Sequence, residues 1–396
     1  MVRSGVNTVQ TRMAVTLLLF VVGSLSFVPV GSTVLAQHDR VADLSARDSS
    51  LVDVQIGVLG LFHPLQLSLS APAGTALVLR AGEERIVLEK SSGVDSVTIR
   101  ISDRDVVVTA GAHVVRASKV TVNGRRSDPV DFVLAVPEKI RRRYHGTLEI
   151  RPLAGSLAAI VSMDRETAVA SVVAAESMPE TPLEAVKAQA VAARSYLVAS
   201  RGRHREFDCC DTTHCQFLRN PPMANSAAAR ATAATRGLVL AYDSHPVGAM
   251  YTRSCGGRTR TPAELGLSPA AYPYFSVECE HCRAHPARWS SRISAQDAVA
   301  LHSSDESARL DIDRRLGWNA VPSNSFVVRT DRDHLILEGT GEGHGIGLCQ
   351  SGAQAMAEAG ADFRQILSHY YPNTTLVTWV NPVREQRGSG PSARLR

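Results

Sequence analysis

The stretch that most constrains this chain runs from Ala168 to Tyr196, AVASVVAAESMPETPLEAVKAQAVAARSY. Its first part is apolar on every face, so a helix formed there has to be buried rather than laid on a surface. That helix stops at Glu176, because Ser177-Met178-Pro179-Glu180 reads as a turn. A second helix opens at Thr181-Pro182-Leu183-Glu184, with Thr181 suited to an N-cap, Pro182 to the first helical position and Glu184 to the closing partner of a capping box. It runs to about Ser200, and its alanines allow close packing. A carboxyl held where a buried helix ends loses solvation of its charged form. Its pKa rises toward working pH, and it becomes a candidate proton donor. The bland alternative is a surface glutamate at a helix end. The apolar run Val169 to Ala175 and the Met178-Pro179 break weigh against it.

The chain has 396 residues, 44% of them apolar, enough for a large core and for two or three domains. Net charge is a mild +5, lysines are few, and no dense basic patch with interleaved aromatics occurs. A nucleic-acid partner is therefore not expected. Residues 1–36 read as a secretory signal: Arg3 and Arg12 flank the apolar run Ala14 to Val30, and Val34-Leu35-Ala36 precedes a cleavage point. A retained anchor is the alternative, but the run is short and interrupted by Gly23, Ser24, Ser26 and Pro29. Export, to a periplasm or cell wall, makes disulfides possible. The seven cysteines are an odd number, which leaves one unpaired unless a metal takes several.

The expected fold class is α+β, a β-rich N-terminal region followed by a mixed α/β body. Residues 37–50 are a polar linker. Residues 51–137 carry short β-branched runs separated by turn signals and few reactive groups, which suits a scaffold or docking role. Residues 138–380 make the second unit, opening with two more strand-like runs before the helices. Within it, GLVLAY and PVGAMYT form a hairpin around Asp243-Ser244-His245, and Asp362 caps a late helix. Residues 381–396 are Arg/Ser/Gly-rich and expected to be disordered.

Three further constellations could carry chemistry. Phe207-Asp208-Cys209-Cys210-Asp211-Thr212-Thr213-His214-Cys215-Gln216 packs thiolates and an imidazole into a compact ligand set that suits zinc, with Cys210, His214 and Cys215 as ligands, His204 as a fourth and Cys209 as the spare. A disulfide to a distant partner is the alternative. Gly341-Glu342-Gly343-His344-Gly345-Ile346-Gly347-Leu348-Cys349-Gln350 is a glycine-rich segment that lets backbone approach a ligand, with His344 either functional or structural. Finally, Cys255, Cys279, Cys282 and Cys349 either form two disulfides or a second, four-thiolate metal site; both remain open.

These motifs, in this order, resemble the SpoIID/LytB domain of stage II sporulation protein D lytic transglycosylases and amidase enhancers. The matching pieces are VVAAESMPETPLEAVKAQAVAARSY, FDCCDTTHCQ, SCGGRT, YPYFSVEC, GEGHGIGLCQSGAQAMA and HYYPNT, spanning about Ala168 to Thr375. The resemblance implies cleavage of peptidoglycan glycan strands with a 1,6-anhydro product. Glu176 stands as the catalytic acid, Zn2+ is held structurally by the Cys/His cluster, and a cell-wall amidase is a possible partner for the enhancer branch. His344 and Gln350 fall in the family's active-site segment and, with Arg194 of the second helix, make the candidate substrate-binding set. Where the family reads Glu-Met-Pro this chain has Glu-Ser-Met-Pro. Cysteines stand at 255 and 349, where serines are usual.

Overall fold

Period-two alternation builds the first half of the molecule. In Asp105–Ala110 and Val130–Val136 every second side chain is buried and its neighbours are not, the pattern of strands with one face on a core. The architecture is taken from a computed structural model that describes residues 53–268, 270–300 and 305–379. The expected signal (1–36), linker (37–50) and tail (381–396) lie outside the described residues.

Twelve strands join into one sheet system: β1 (Asp53–Val58), β2 (Gln66–Ser70), β3 (Leu77–Ala81), β4 (Glu84–Leu88), β5 (Ser96–Ser102), β6 (Asp105–Ala110), β7 (His113–Ala117), β8 (Val120–Asn123), β9 (Val130–Val136), β10 (Ile140–Leu153), β11 (Ser156–Asp164) and the two-residue β12 (Cys209–Cys210). β10 is the long member. Its first half pairs with β9 and its second half with β8, so one strand serves two arms of the sheet. The switch falls at Gly146, where a side chain would strike the carbonyl oxygen of Ser162 on β11.

A boundary at residue 137 is therefore not seen. The charged stretch 138–143 is the turn into β10 and that strand's start: Arg141 and Arg143 are exposed, Arg142 pairs with Asp211, and Tyr144 is fully buried against Phe132. β10 and β11 are central strands of the same sheet.

The chain leaves β11 through Asp164, whose carboxylate caps α1 (Arg165–Glu176) by accepting the N–H groups of Glu166 (3.0 Å) and Thr167 (3.1 Å). α2 (Leu183–Ala199) follows, and α3 (Ala227–Ala234) starts under a Ser226 cap. α2 is buried on both sides. Val186, Ala190, Ala193 and Leu197 join the core under the sheet, and Ala185, Ala188, Val191 and Ala192 join a second core. Alanine makes this possible, since it adds little width to a helix clasped between two layers.

The expected capping box at Thr181 does not form. No side chain caps α2, and the carboxylate of Glu184 instead pairs with Lys187 and accepts the N–H of Phe363 (3.0 Å), the first residue of α7 (Phe363–Tyr370). A tertiary partner has taken the group that the local pattern assigned to its own helix. α7 has the expected Asp362 cap, as a complete box with Gln365.

The second core is closed by α4 (Glu280–Ala284), α6 (Gln350–Glu358), α7 and short strands. β13 (Leu238–Tyr242) pairs with β14 (His245–Pro246) through Asp243 and Ser244, both at positive φ as a type I′ turn requires, and with β20 (Thr375–Thr378). β15 (Tyr251–Thr252) runs parallel to β19 (Leu348–Cys349). Between them, β16 (Arg288–Ser294), β18 (His334–Thr340) and β17 (Phe326–Asp331) form an antiparallel sheet. With α5 (Glu306–Leu316) it encloses a small core of Ile293, Ile312, Val321 and Leu337. With seven α-helices among the described residues, the chain is α+β.

Candidate active site and metal centre

Glu176 is the last residue of α1, held there because Ala168, Val169, Val172 and Val173 are locked into the core. Its side chain enters a cleft also lined by Ser177, Gln189, Arg253, Gln350 and Gln354. Burial raises its pKa from 4.5 to about 7, against opposing contributions from the Gln350 side chain, the charge of Arg219, the Phe217 N–H and the charge of Arg253. At neutral pH the protonated and ionised forms are then comparably populated, so the group can both give and take a proton.

Gln350 opens α6 at the cleft and donates its amide to the backbone carbonyl of Glu176 (3.2 Å) and to the amide oxygen of Gln189 (3.4 Å). The Gln189 nitrogen is left buried with no hydrogen-bond partner among the described residues, in a residue only 3% exposed. An unpartnered buried donor in a residue that lines the same cleft as Glu176 leaves room for an acceptor from water or a ligand. Sequence reasoning passed over Gln189. The available signal was a single amide side chain in a run of buried alanines.

Two candidates sit elsewhere. Arg194 is fully buried and cannot meet a substrate. Its guanidinium grips both carboxylate oxygens of Glu166 (2.9 and 2.7 Å) and the carbonyls of Leu238 (3.1 Å) and Thr232 (3.2 Å). It fastens α2 to α1, α3 and β13 as an internal staple. His344 does not line the cleft. Its Nδ1 accepts the Ile346 N–H (3.0 Å) within the glycine-rich turn. Burial holds its pKa below the ordinary histidine value, and the charge of Glu306 on α5 opposes that shift. It is a neutral brace for the segment that delivers Leu348 and Gln350 to the cleft.

The Cys/His segment is anchored to the sheet. Cys209 and Cys210 form β12 beside β1, Asp208 accepts the Gln55 N–H (2.9 Å), and Asp211 accepts the Leu59 N–H (3.1 Å) and pairs with Arg142 (2.9 Å). With Cys209 turned into the core, the ligand atoms of His204, Cys210, His214 and Cys215 lie within 4.8 Å of one another. His204 Nε2 is 3.2 Å from Cys215 Sγ, and His214 Nδ1 is 3.7 Å from Cys210 Sγ and 3.6 Å from Cys215 Sγ. One ion bonded at about 2.0–2.3 Å to four tetrahedral ligands spaces them by about 3.3–3.8 Å, so this set could hold a metal ion. The chain runs straight on to Gln216, which bonds the Ala193 carbonyl (3.2 Å) and the Tyr251 hydroxyl (3.0 Å), and then to Phe217 and Arg219, both felt by Glu176. The Cys/His cluster and the carboxyl are thus linked through a few residues.

The sequence profile described as Stage II sporulation protein (SpoIID) matches residues 154–242, from β11 through Glu176, α2 and the Cys/His segment to β13. Stage II sporulation protein D of Bacillus amyloliquefaciens is 26% identical over 306 residues, covering 66% of this chain and 82% of that protein. These matches support assigning the segment that carries Glu176 and the Cys/His cluster to the SpoIID/LytB family. An uncharacterized protein of Brachyspira hyodysenteriae is 27% identical over 269 residues, 60% of this chain and 73% of its own length. The amidase enhancer of Bacillus subtilis (strain 168) is 24% identical over 275 residues, and the match spans only 38% of that relative. Glu176, followed by Ser177, lies at the helix end and in the cleft.

Proposed function

We propose that this SpoIID/LytB protein is an exported lytic transglycosylase that cuts peptidoglycan between N-acetylmuramic acid and N-acetylglucosamine, with Glu176 as its acid and base. One observation carries the proposal. Glu176 is the single acidic side chain among the described residues lining the cleft, and its pKa is lifted to about 7. Glycoside hydrolases generally employ two carboxyls at a set separation to deploy water. A lone carboxyl suits a reaction in which the sugar supplies its own nucleophile.

Protonated Glu176 donates to the glycosidic oxygen, the C1–O bond breaks, and the N-acetylglucosamine side leaves as an alcohol. Positive charge develops at C1 of the muramic residue. The Glu176 carboxylate, favoured by Arg219 and Arg253, then takes the proton of the C6 hydroxyl as that oxygen closes on C1. The 1,6-anhydro ring forms, Glu176 regains its proton, and no water is consumed. Gln189 offers its unpartnered N–H to a substrate carbonyl or hydroxyl, and Gln350 holds Glu176 and Gln189 in place. Zinc bound by His204, Cys210, His214 and Cys215 would supply structural support only, with all four positions taken by protein.

The test is incubation of the purified protein with isolated glycan strands, with and without stem peptides, followed by mass spectrometry. Anhydro-ended products from the wild type and none from Glu176→Gln are expected. Hydrated reducing ends, or products from Glu176→Gln, would overturn the assignment. The relative named amidase enhancer supports a second function, a wall-binding module that stimulates a partner amidase. In that case the protein alone releases nothing and accelerates the amidase.

A further inference from the structure

We propose that Cys255, Cys279, Cys282 and Cys349 form a second metal centre, a four-thiolate site for one tetrahedral divalent ion of the zinc class, built into the wall of the cleft. The inference is independent of the transglycosylase proposal. The four residues come from three separate parts of the chain, and all are buried, none more than 4% exposed. Their sulfur atoms lie within 4.8 Å of one another. Cys282 Sγ and Cys349 Sγ are 3.5 Å apart, and all four cysteines are free. An ion bonded to four sulfurs at about 2.3 Å separates them by about 3.8 Å. Cys279-Glu280-His281-Cys282 supplies two ligands at the two-residue spacing common in zinc sites, and Cys255 and Cys349 supply the others. An iron–sulfur cluster would hold its thiolates apart by its own width, beyond the span of one ion's shell.

The surroundings direct hydrogen-bonding groups at the sulfurs. Cys349 caps the nine-residue helix α6, and its sulfur accepts the N–H groups of Gly352 (3.4 Å) and Cys255 (3.4 Å). The hydroxyls of Ser254 and Tyr370 reach Cys282 Sγ and Cys279 Sγ, each at 3.5 Å. Three of the four sulfurs therefore have a polar second shell, as metal-bound thiolates do. Gly352 keeps the backbone close, since a Cβ there would lie 2.6 Å from Cys279 Sγ. Binding one divalent ion releases the four thiol protons and changes no oxidation state. The ion would tie β15 to β19 where Arg253 and Gln350 enter the cleft.

The experiment measures bound metal on the full chain purified without added ions, by elemental analysis and native mass spectrometry. Two ions per chain are expected, one per centre, falling to one in Cys282→Ser and to one in Cys210→Ser. Cobalt bound to Cys210→Ser should give the absorption of a tetrahedral four-thiolate complex, which decides the matter even where Cys282→Ser does not fold. No ion in the unaltered chain, a single ion that persists in Cys282→Ser and is lost in Cys210→Ser, iron with inorganic sulfide, or non-reducing peptide maps joining these cysteines in disulfides would each overturn the proposal.

Discussion

Replacing Glu176 by glutamine should stabilise the protein and silence it, with a pH dependence that identifies the cause. In the folded chain burial raises the Glu176 pKa from 4.5 to about 7. Each tenfold change in proton affinity corresponds to about 1.4 kcal/mol, so the displacement amounts to about 3 kcal/mol. Between those two pKa values the folded state keeps a proton that the unfolded state releases. Wild-type stability attributable to this group is therefore full below about pH 4.5, declines as pH rises, and is lost above about pH 7. Glutamine cannot ionise and escapes the decline. The stability difference, variant minus wild type, should grow from near zero at about pH 4 to about 3 kcal/mol at about pH 8.5. Urea unfolding of both proteins across that range, followed by circular dichroism, gives the difference directly, because every other titrating group is common to both. Parallel stability curves would refute a buried, proton-holding Glu176 whatever the activity showed.

Other outcomes follow from the same geometry. Turnover of glycan strands should fall as pH rises through about 7, since the acid form of Glu176 is then depleted; a flat profile to about pH 9 would contradict its role as proton donor. Gln189→Leu should lower kcat/KM by about 10- to 100-fold, worth about 1.4–2.8 kcal/mol, while lowering the denaturation midpoint only slightly, because the lost nitrogen has no protein partner and the lost oxygen takes only the long 3.4 Å bond from Gln350, which keeps the Glu176 carbonyl. Arg194→Ala should lower unfolding free energy by about 3–5 kcal/mol by stranding Glu166, with Glu166→Gln in the same chain recovering part of it; guanidinium titration measures both. Cys210→Ser should remove one bound ion, lower the melting temperature and reduce turnover through the Gln216–Arg219 segment, as read by elemental analysis, calorimetry and product release.

Period-two runs such as DVVVTA were legible because one face of each strand is apolar. The Ala168–Tyr196 stretch was legible because an all-apolar helix admits only burial. The Cys/His cluster could be read because its ligands are local. What stayed hidden depends on distant partners. Arg194 resembles a functional arginine until the fold sets Glu166 beside it. Glu184 looks like a capping partner until Phe363 offers its N–H. α5 has no apolar stripe to detect, because part of its buried face is an ionic network. Arg309 is bonded there to Glu306 (2.8 and 2.7 Å) and Asp313 (2.8 Å), and Asp313 in turn accepts the Val321 N–H (2.9 Å). The strand pattern after residue 137 was masked by three consecutive arginines, of which Arg141 and Arg143 face water and Arg142 pairs with the distant Asp211.

β1 lies between β11 on one edge and Cys209–Cys210 on the other, and Leu59 just beyond it bonds Asp211. The amino-terminal strands are thus a foundation poured under the ligand loop, not an appendage hung in front of it. Trimming the protein back toward Ala168 to isolate its reactive half would remove the ground on which that loop stands. The shortened chain should lose the clustering of His204, Cys210, His214 and Cys215 before it loses its helices.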